Sequence, residues 1–136
     1  MAVVPVPDAA ADLLARSEGE LVAATVASDP ADALVHAHLA AVRAGAALLA
    51  ARGRPGPRSR ARTVWDMVAR MAPELADYTA FFAANAPYRH AAEARRVQVS
   101  PERVEQALTV AEQFGDAVRA LLTDDAPQGR LGLRAS

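Results

Sequence analysis

The sequence predicts an all-α fold, an antiparallel four-helix up-and-down bundle with a kinked third helix and a short extra helix. Apolar residues recur at steps of three and four along most of the chain, the period of a helix face. No alternating strand pattern runs longer than Val97–Val99. Small residues at Ala41, Gly45, Ala107, Ala111 and Gly115 let helices approach toward the close end of the ~8–10 Å interaxial range.

Each element has a start or stop signal. Asp8 is expected to cap a first helix through Leu13, Leu14, Leu21, Val22 and Val26 to about Ser28. Asp29-Pro30 reads as cap and first helical position, because proline lacks an N–H that would find no partner there. The second helix runs to about Ala51, with Val35, Leu39, Val42, Ala46 and Leu49 as its stripe and Leu34, Ala41, Gly45 and Leu48 widening it. Residues 52–62 (RGRPGPRSRAR) hold two prolines, two glycines and five arginines, so they form a solvated linker.

Thr63 with Asp66 opens a third stretch through Val64, Val68, Met71, Leu75, Tyr78 and Phe82. Pro73 removes a backbone hydrogen bond and predicts a kink or break near Met71–Ala72. Pro87 predicts a second interruption, with Tyr88–Arg96 as the short extra helix and Val97–Val99 as a connector. Ser100-Pro101 repeats the cap-plus-proline signal before a last helix with Val104, Leu108, Ala111, Val118 and Leu122 inward. The expected organisation is an N-terminal extension at 1–7, one helical-bundle domain at 8–122, and a disordered tail at 123–136 rich in Asp, Gly and Pro.

Composition narrows the function classes. The 136 residues carry a formal net charge of -1, which disfavours binding polyanions through overall charge. The absence of cysteine excludes disulfides, thiolate zinc sites, iron–sulfur clusters and a cysteine nucleophile. No run of eighteen apolar residues and no basic, then apolar, leader is present, so a cytoplasmic protein without membrane contact is expected. All fifteen basic residues are arginine and about a quarter of the chain is alanine, a pattern that codon bias of a GC-rich genome also produces.

Few residues invite chemistry. His36 and His38 lie about 200° apart on a helix and cannot share a metal, His38 falls on the core stripe, and His90 is expected at the surface. No metal and no cofactor are therefore assigned. Ser17, Ser28, Ser59, Ser100 and Ser136 occupy caps, loops or the terminus, with no nucleophile elbow and no phosphate-binding glycine motif. The acidic pairs Glu18/Glu20, Asp29/Asp32, Glu74/Asp77 and Glu102/Glu105 suit solvated helix surfaces or helix starts better than an acid–base dyad.

The arginine loop is the most informative polar feature. Arg52, Arg54, Arg58, Arg60 and Arg62 fall in eleven residues without one acid, enough to contact a few phosphates with strong salt dependence. A merely solubilising loop accounts for the same residues. Aromatics do not interleave with these arginines, and Trp65 just beyond is expected to pack on the bundle.

Several stretches together carry a family likeness: AHLAAVRA at 37–44, the arginine loop, VWDMVARMAPELADYTAFFA at 64–83, and AEQF at 111–114. They resemble a family of small actinobacterial proteins in the HEPN superfamily of α-helical bundles, over about Leu34–Leu122. The resemblance implies an up-and-down bundle that often pairs as a homodimer. Active HEPN members are metal-independent RNases whose signature is arginine, four to six residues, then histidine, in or near the last long helix. Arginine then holds the scissile phosphate while histidine moves a proton.

The departure from that signature is specific. Arg103 is followed by Leu108 where the histidine would stand, with Thr109 and Val110 at the longer spacings. No catalytic residue is therefore assigned, and Arg103 keeps at most an anion contact. The expectation is a noncatalytic HEPN-like bundle acting as an interaction or nucleic-acid-associated module. RNA or single-stranded DNA would be held through Arg52, Arg54, Arg58, Arg60, Arg62 and Arg103. Two alternatives stand beside it: a divergent endoribonuclease using His38, His90 or Tyr88, and a subunit that binds only a protein partner.

Overall fold

The computed structural model describes residues 6–125, and all its regular structure is helical. Five helices follow in order: α1 (Asp8–Val26), α2 (Pro30–Arg52), α3 (Val64–Met71), α4 (Ala76–Glu93) and α5 (Pro101–Asp125), with a single 3-10 turn at Pro73–Leu75. α3, the turn and α4 together form the third arm of a four-arm bundle. α2 is its axis and contacts all four other helices.

That central position corrects the expected stripe on α2. The buried line runs through Leu34, Ala37, His38, Ala41, Ala44, Gly45 and Leu48, whereas Val35, Leu39, Val42 and Ala46 are only half-buried. A helix packed on several sides has no single inward face, so the smaller residues take the tightest contacts. Gly45 shows why: a Cβ there would lie 3.3 Å from Val68 Cγ2 and 3.4 Å from Val64 Cγ2. By length and hydropathy α2 could cross a membrane, yet here it is the core helix of the bundle.

The caps are mixed. Thr63 Oγ1 accepts the Asp66 N–H at 3.1 Å, and Ser100 Oγ accepts the Arg103 N–H at 3.2 Å, both as expected of capping residues. Asp8 is the first helical residue rather than the cap, a place taken by Pro7. Asp29 stands at the N-cap of α2, but its side chain makes no cap bond and pairs instead with Arg95.

Pro73 breaks the third arm where predicted: Ala72 leaves helical geometry at φ -146, ψ 76. Pro87 does not interrupt α4, so the extra short helix expected at Tyr88–Arg96 does not exist, and the short helix is α3 instead. Pro87 lies on an exposed face, where water can serve the carbonyl that loses its donor. α5 also runs to Asp125, which makes Thr123–Asp125 helical rather than part of a disordered tail. The remainder of that tail, and residues 1–5, lie outside the described residues.

Two cores stack along α2. The larger is built around Phe82 and Phe114, both fully buried, with the Trp65 ring stacked on Phe82 at 5.0 Å between centroids. Aromatic pairs of this kind add about 0.5–1.5 kcal/mol beyond area burial. The smaller joins Leu34 and Ala37 of α2 to Ala92, Val99 and Ala107, with Tyr88, Val104 and Leu108 packed against it. Because the N-terminal parts of α2 and α5 share the smaller core and their C-terminal parts share the larger, the two helices run parallel. The α2–α3 loop and the start of α5 therefore lie at opposite ends of the bundle.

Candidate nucleic-acid interface

The α2–α3 loop is held in one shape by its own residues. Gly53 ends α2 at φ +94, a conformation side chains resist, and its N–H donates to the Leu49 carbonyl at 2.8 Å. Gly56-Pro57-Arg58-Ser59 is a tight turn closed by Ser59 N–H to the Gly56 carbonyl at 2.9 Å, with proline where its fixed φ suits the turn. Ser59 Oγ then accepts the Ala61 N–H at 3.1 Å, and the Asp66 carboxylate receives the Arg62 N–H at 3.4 Å.

This geometry sorts the side chains. From Arg58 to Arg62 exposure alternates, with Arg58, Arg60 and Arg62 exposed and Ser59 and Ala61 half-buried. The three arginines therefore share the outer side of the loop, Arg58 within the turn and Arg60 and Arg62 in the irregular segment after it. Two clefts adjoin it. One of about 480 Å³ is lined by Arg60, Ala61, Asp66, Ala69 and Arg70. The other, of about 680 Å³, is lined by Pro55, Pro57, Arg58, Ser59, Arg70 and Met71 among others. Arg70 of α3 is common to both.

The six arginines singled out from the sequence separate into three groups. Arg58, Arg60 and Arg62 make the row. Arg52, half-buried, donates to the Met71 carbonyl at 3.2 Å and pairs with Glu74 at 3.4 Å, which fastens the end of α2 to the break in the third arm. Arg54 reaches the Met67 sulfur at 3.6 Å. Arg103 lies at the far end: about eighteen residues of α2, or about 27 Å of helix, separate Leu34 from Arg52. Arg70 belongs with the row and was missed in the sequence, where it read as one more helical position.

Arg103 sits over the Tyr88 ring, 4.1 Å from its centroid, and its Nη1 donates to Asn85 Oδ1 at 3.4 Å. Among the described residues no histidine is hydrogen-bonded to it. Leu108 packs into the smaller core, as a leucine there should. His90 is exposed and touches Arg89 at 3.5 Å.

His36 and His38 diverge as their spacing demands. His36 Nδ1 meets Glu20 at 3.0 Å on the α1 side. His38 is 2% exposed, edge-on to Phe82 at 5.3 Å, and has no hydrogen-bond partner among the described residues. Burial, with Arg89 and His90 adding to it, pushes the His38 pKa down to about 4, so the imidazole is neutral at ordinary pH. Among the described residues, no group of three or more His, Cys, Asp or Glu side chains is placed to hold a metal ion.

Three of the four acidic pairs have a member in an ion pair, while Glu102 and Glu105 are exposed at the start of α5. Glu18 meets Arg119 at 2.8 Å, and Asp29 and Asp32 both meet Arg95. The Arg95 hydrogen bond holds the Asp29 carboxyl below its usual range. Carboxylates balanced this way have no reason to act as proton carriers.

Comparison with known proteins agrees with the fold. No curated protein and no solved structure matched the chain. The family model HEPN_SAV_6107-like HEPN matches residues 24–119, from the end of α1 to Arg119 of α5, which takes in α2, the arginine loop, α3 and α4. The chain therefore belongs to the HEPN_SAV_6107-like family of HEPN domains.

Proposed function

We propose that this HEPN bundle is a noncleaving module that holds a polynucleotide backbone along the α2–α3 loop. One observation carries the reading: Arg58, Arg60 and Arg62 stand outward in a row, with no acidic partner for their side chains among the described residues. Arg52, Arg89, Arg95 and Arg119 each pair with at least one carboxylate. Arg16, Arg43 and Arg96, without an ion pair among the described residues, stand singly on or beyond separate helices rather than grouped in one loop. Because the turn and the cap already hold the loop backbone, phosphate binding has to order only the arginine side chains, at about 0.5–1.5 kcal/mol each. The chain's net charge of -1 makes this a local attraction that salt should screen strongly.

The noncleaving part rests on Arg103. Its guanidinium is taken up by Tyr88 and Asn85, and the residue five positions on is the core-packed Leu108. Among the described residues no histidine is hydrogen-bonded to that arginine to supply the general acid–base help, worth about 10²–10⁴-fold, of the HEPN signature. Fluorescence anisotropy of a labelled single-stranded RNA, with wild type and with Arg58→Gln/Arg60→Gln/Arg62→Gln, tests the binding. Binding by wild type and its loss in the variant are expected. Absent binding, or binding that the variant keeps, would overturn the reading. RNA shortened after incubation with the wild type would overturn the noncleaving part.

A further inference from the structure

The larger of the two clefts has a chemistry that phosphate binding alone does not use. It is a shallow, open groove lined by the apolar residues Pro55, Pro57 and Met71 beside the polar Arg58, Ser59 and Arg70. An apolar lining with polar groups beside it, in a volume of about 680 Å³, suits one face of a small flat ligand. We propose that this cleft is a base subsite. A single strand lies along the arginine row and seats one unstacked base against Pro55, Pro57 and Met71, with the neighbouring phosphate on Arg70. This rests on the reading of the row given above and adds what kind of strand it takes.

Three features argue for it. Arg70 lines both clefts, so a strand leaving the base subsite passes directly into the second cleft beside Arg60, and one guanidinium serves the junction. The Ser59 hydroxyl already accepts the Ala61 N–H, which leaves its own hydrogen free to donate to a base edge or a phosphate. Part of the lining has its backbone held before binding, because Pro57 sits in the closed Gly56–Ser59 turn and Met71 ends α3 just ahead of the Ala72 break. A duplex keeps its bases stacked inside and offers only phosphates, so it cannot cover the apolar lining.

The test compares single-stranded RNA, single-stranded DNA and a DNA strand with its bases removed, each of about twelve nucleotides and equal in charge, with a duplex of about twelve base pairs that carries twice their charge. The tighter of the two single strands identifies the sugar the site accepts. The base-free strand and the duplex are each expected to bind about tenfold more weakly. Arg70→Gln, at an exposed position, should lower single-strand affinity and reduce its logarithmic salt slope by about 0.7. Equal affinity for all four probes would overturn the base subsite while leaving the arginine row intact, provided Arg58→Gln/Arg60→Gln/Arg62→Gln still abolishes binding. No binding of any probe by wild type would overturn both readings.

Discussion

Acidifying the protein should expose His38 as a hidden weak point. The imidazole is 2% exposed, faces the Phe82 ring and has no hydrogen-bond partner among the described residues, so its protonated form is poorly tolerated in the native state. In the unfolded chain it takes up a proton near pH 6.5, but in the fold only near pH 4. The folded pKa is the depressed one, so the unfolded state binds more protons as pH falls. Stability is therefore full above about pH 6.5 and declines through the window down to about pH 4. The loss attributable to this one group is about 3 kcal/mol at pH 4, an upper figure that relaxation and water entry reduce. Urea unfolding at a series of pH values reads it directly. His38→Met keeps the volume and removes the titration, so its stability should fall less steeply than wild type between pH 6.5 and 4. Identical slopes for the two proteins would refute the argument, as would a His38 proton resonance that titrates near pH 6.5.

Three further outcomes follow from the packing. Gly45→Leu should destabilise by at least about 1–3 kcal/mol, measured by chemical denaturation, because the space beside Gly45 is filled by Val64, Val68 and Trp65. Arg95 sits at φ 59 while its guanidinium joins Asp29 and Asp32 across to α2. Thermal melts should therefore rank Arg95→Ala below Arg95→Gly, since glycine relieves the backbone while both lose the ion pairs. Ser17→Ala should cost about 1 kcal/mol in the same denaturation assay, because the buried hydroxyl donates to the Ala40 carbonyl at 2.7 Å and ties α1 to the axis helix.

Most of the fold was legible because it is written in local signals. Pro30 and Pro101 mark true first positions, Thr63 and Ser100 are true caps, and Pro73 ends α3 at its residue. Misreadings arose where tertiary context outweighs propensity. Pro87 looks like a breaker, but α4 is continuous because that position faces outward and the packing of Phe82 and Ala92 holds both halves. The α2 stripe was centred on the bulkier residues, whereas contact from four helices puts alanine and glycine at the tightest points.

The site was legible in part. Five arginines in a short loop are visible in the sequence, but which of them face outward is decided by the Gly56–Ser59 turn and the alternation that follows it. Arg52 was read as one of that set, although it reaches Met71 and Glu74, nineteen and twenty-two positions away. Arg103 joined the set through family likeness, and the parallel course of α2 and α5 places it at the other end. Arg70 could not be recognised without knowing that α3 turns that residue toward the loop.

The salt dependence of single-strand binding is the most direct test of the loop's role. With Arg58, Arg60, Arg62 and Arg70 each meeting a phosphate, log K against log salt should fall with a slope of about -3. Replacing any one of the first three by glutamine should flatten it by about 0.7. A slope unchanged by those substitutions would contradict the account, because the strand would then be held elsewhere on the bundle.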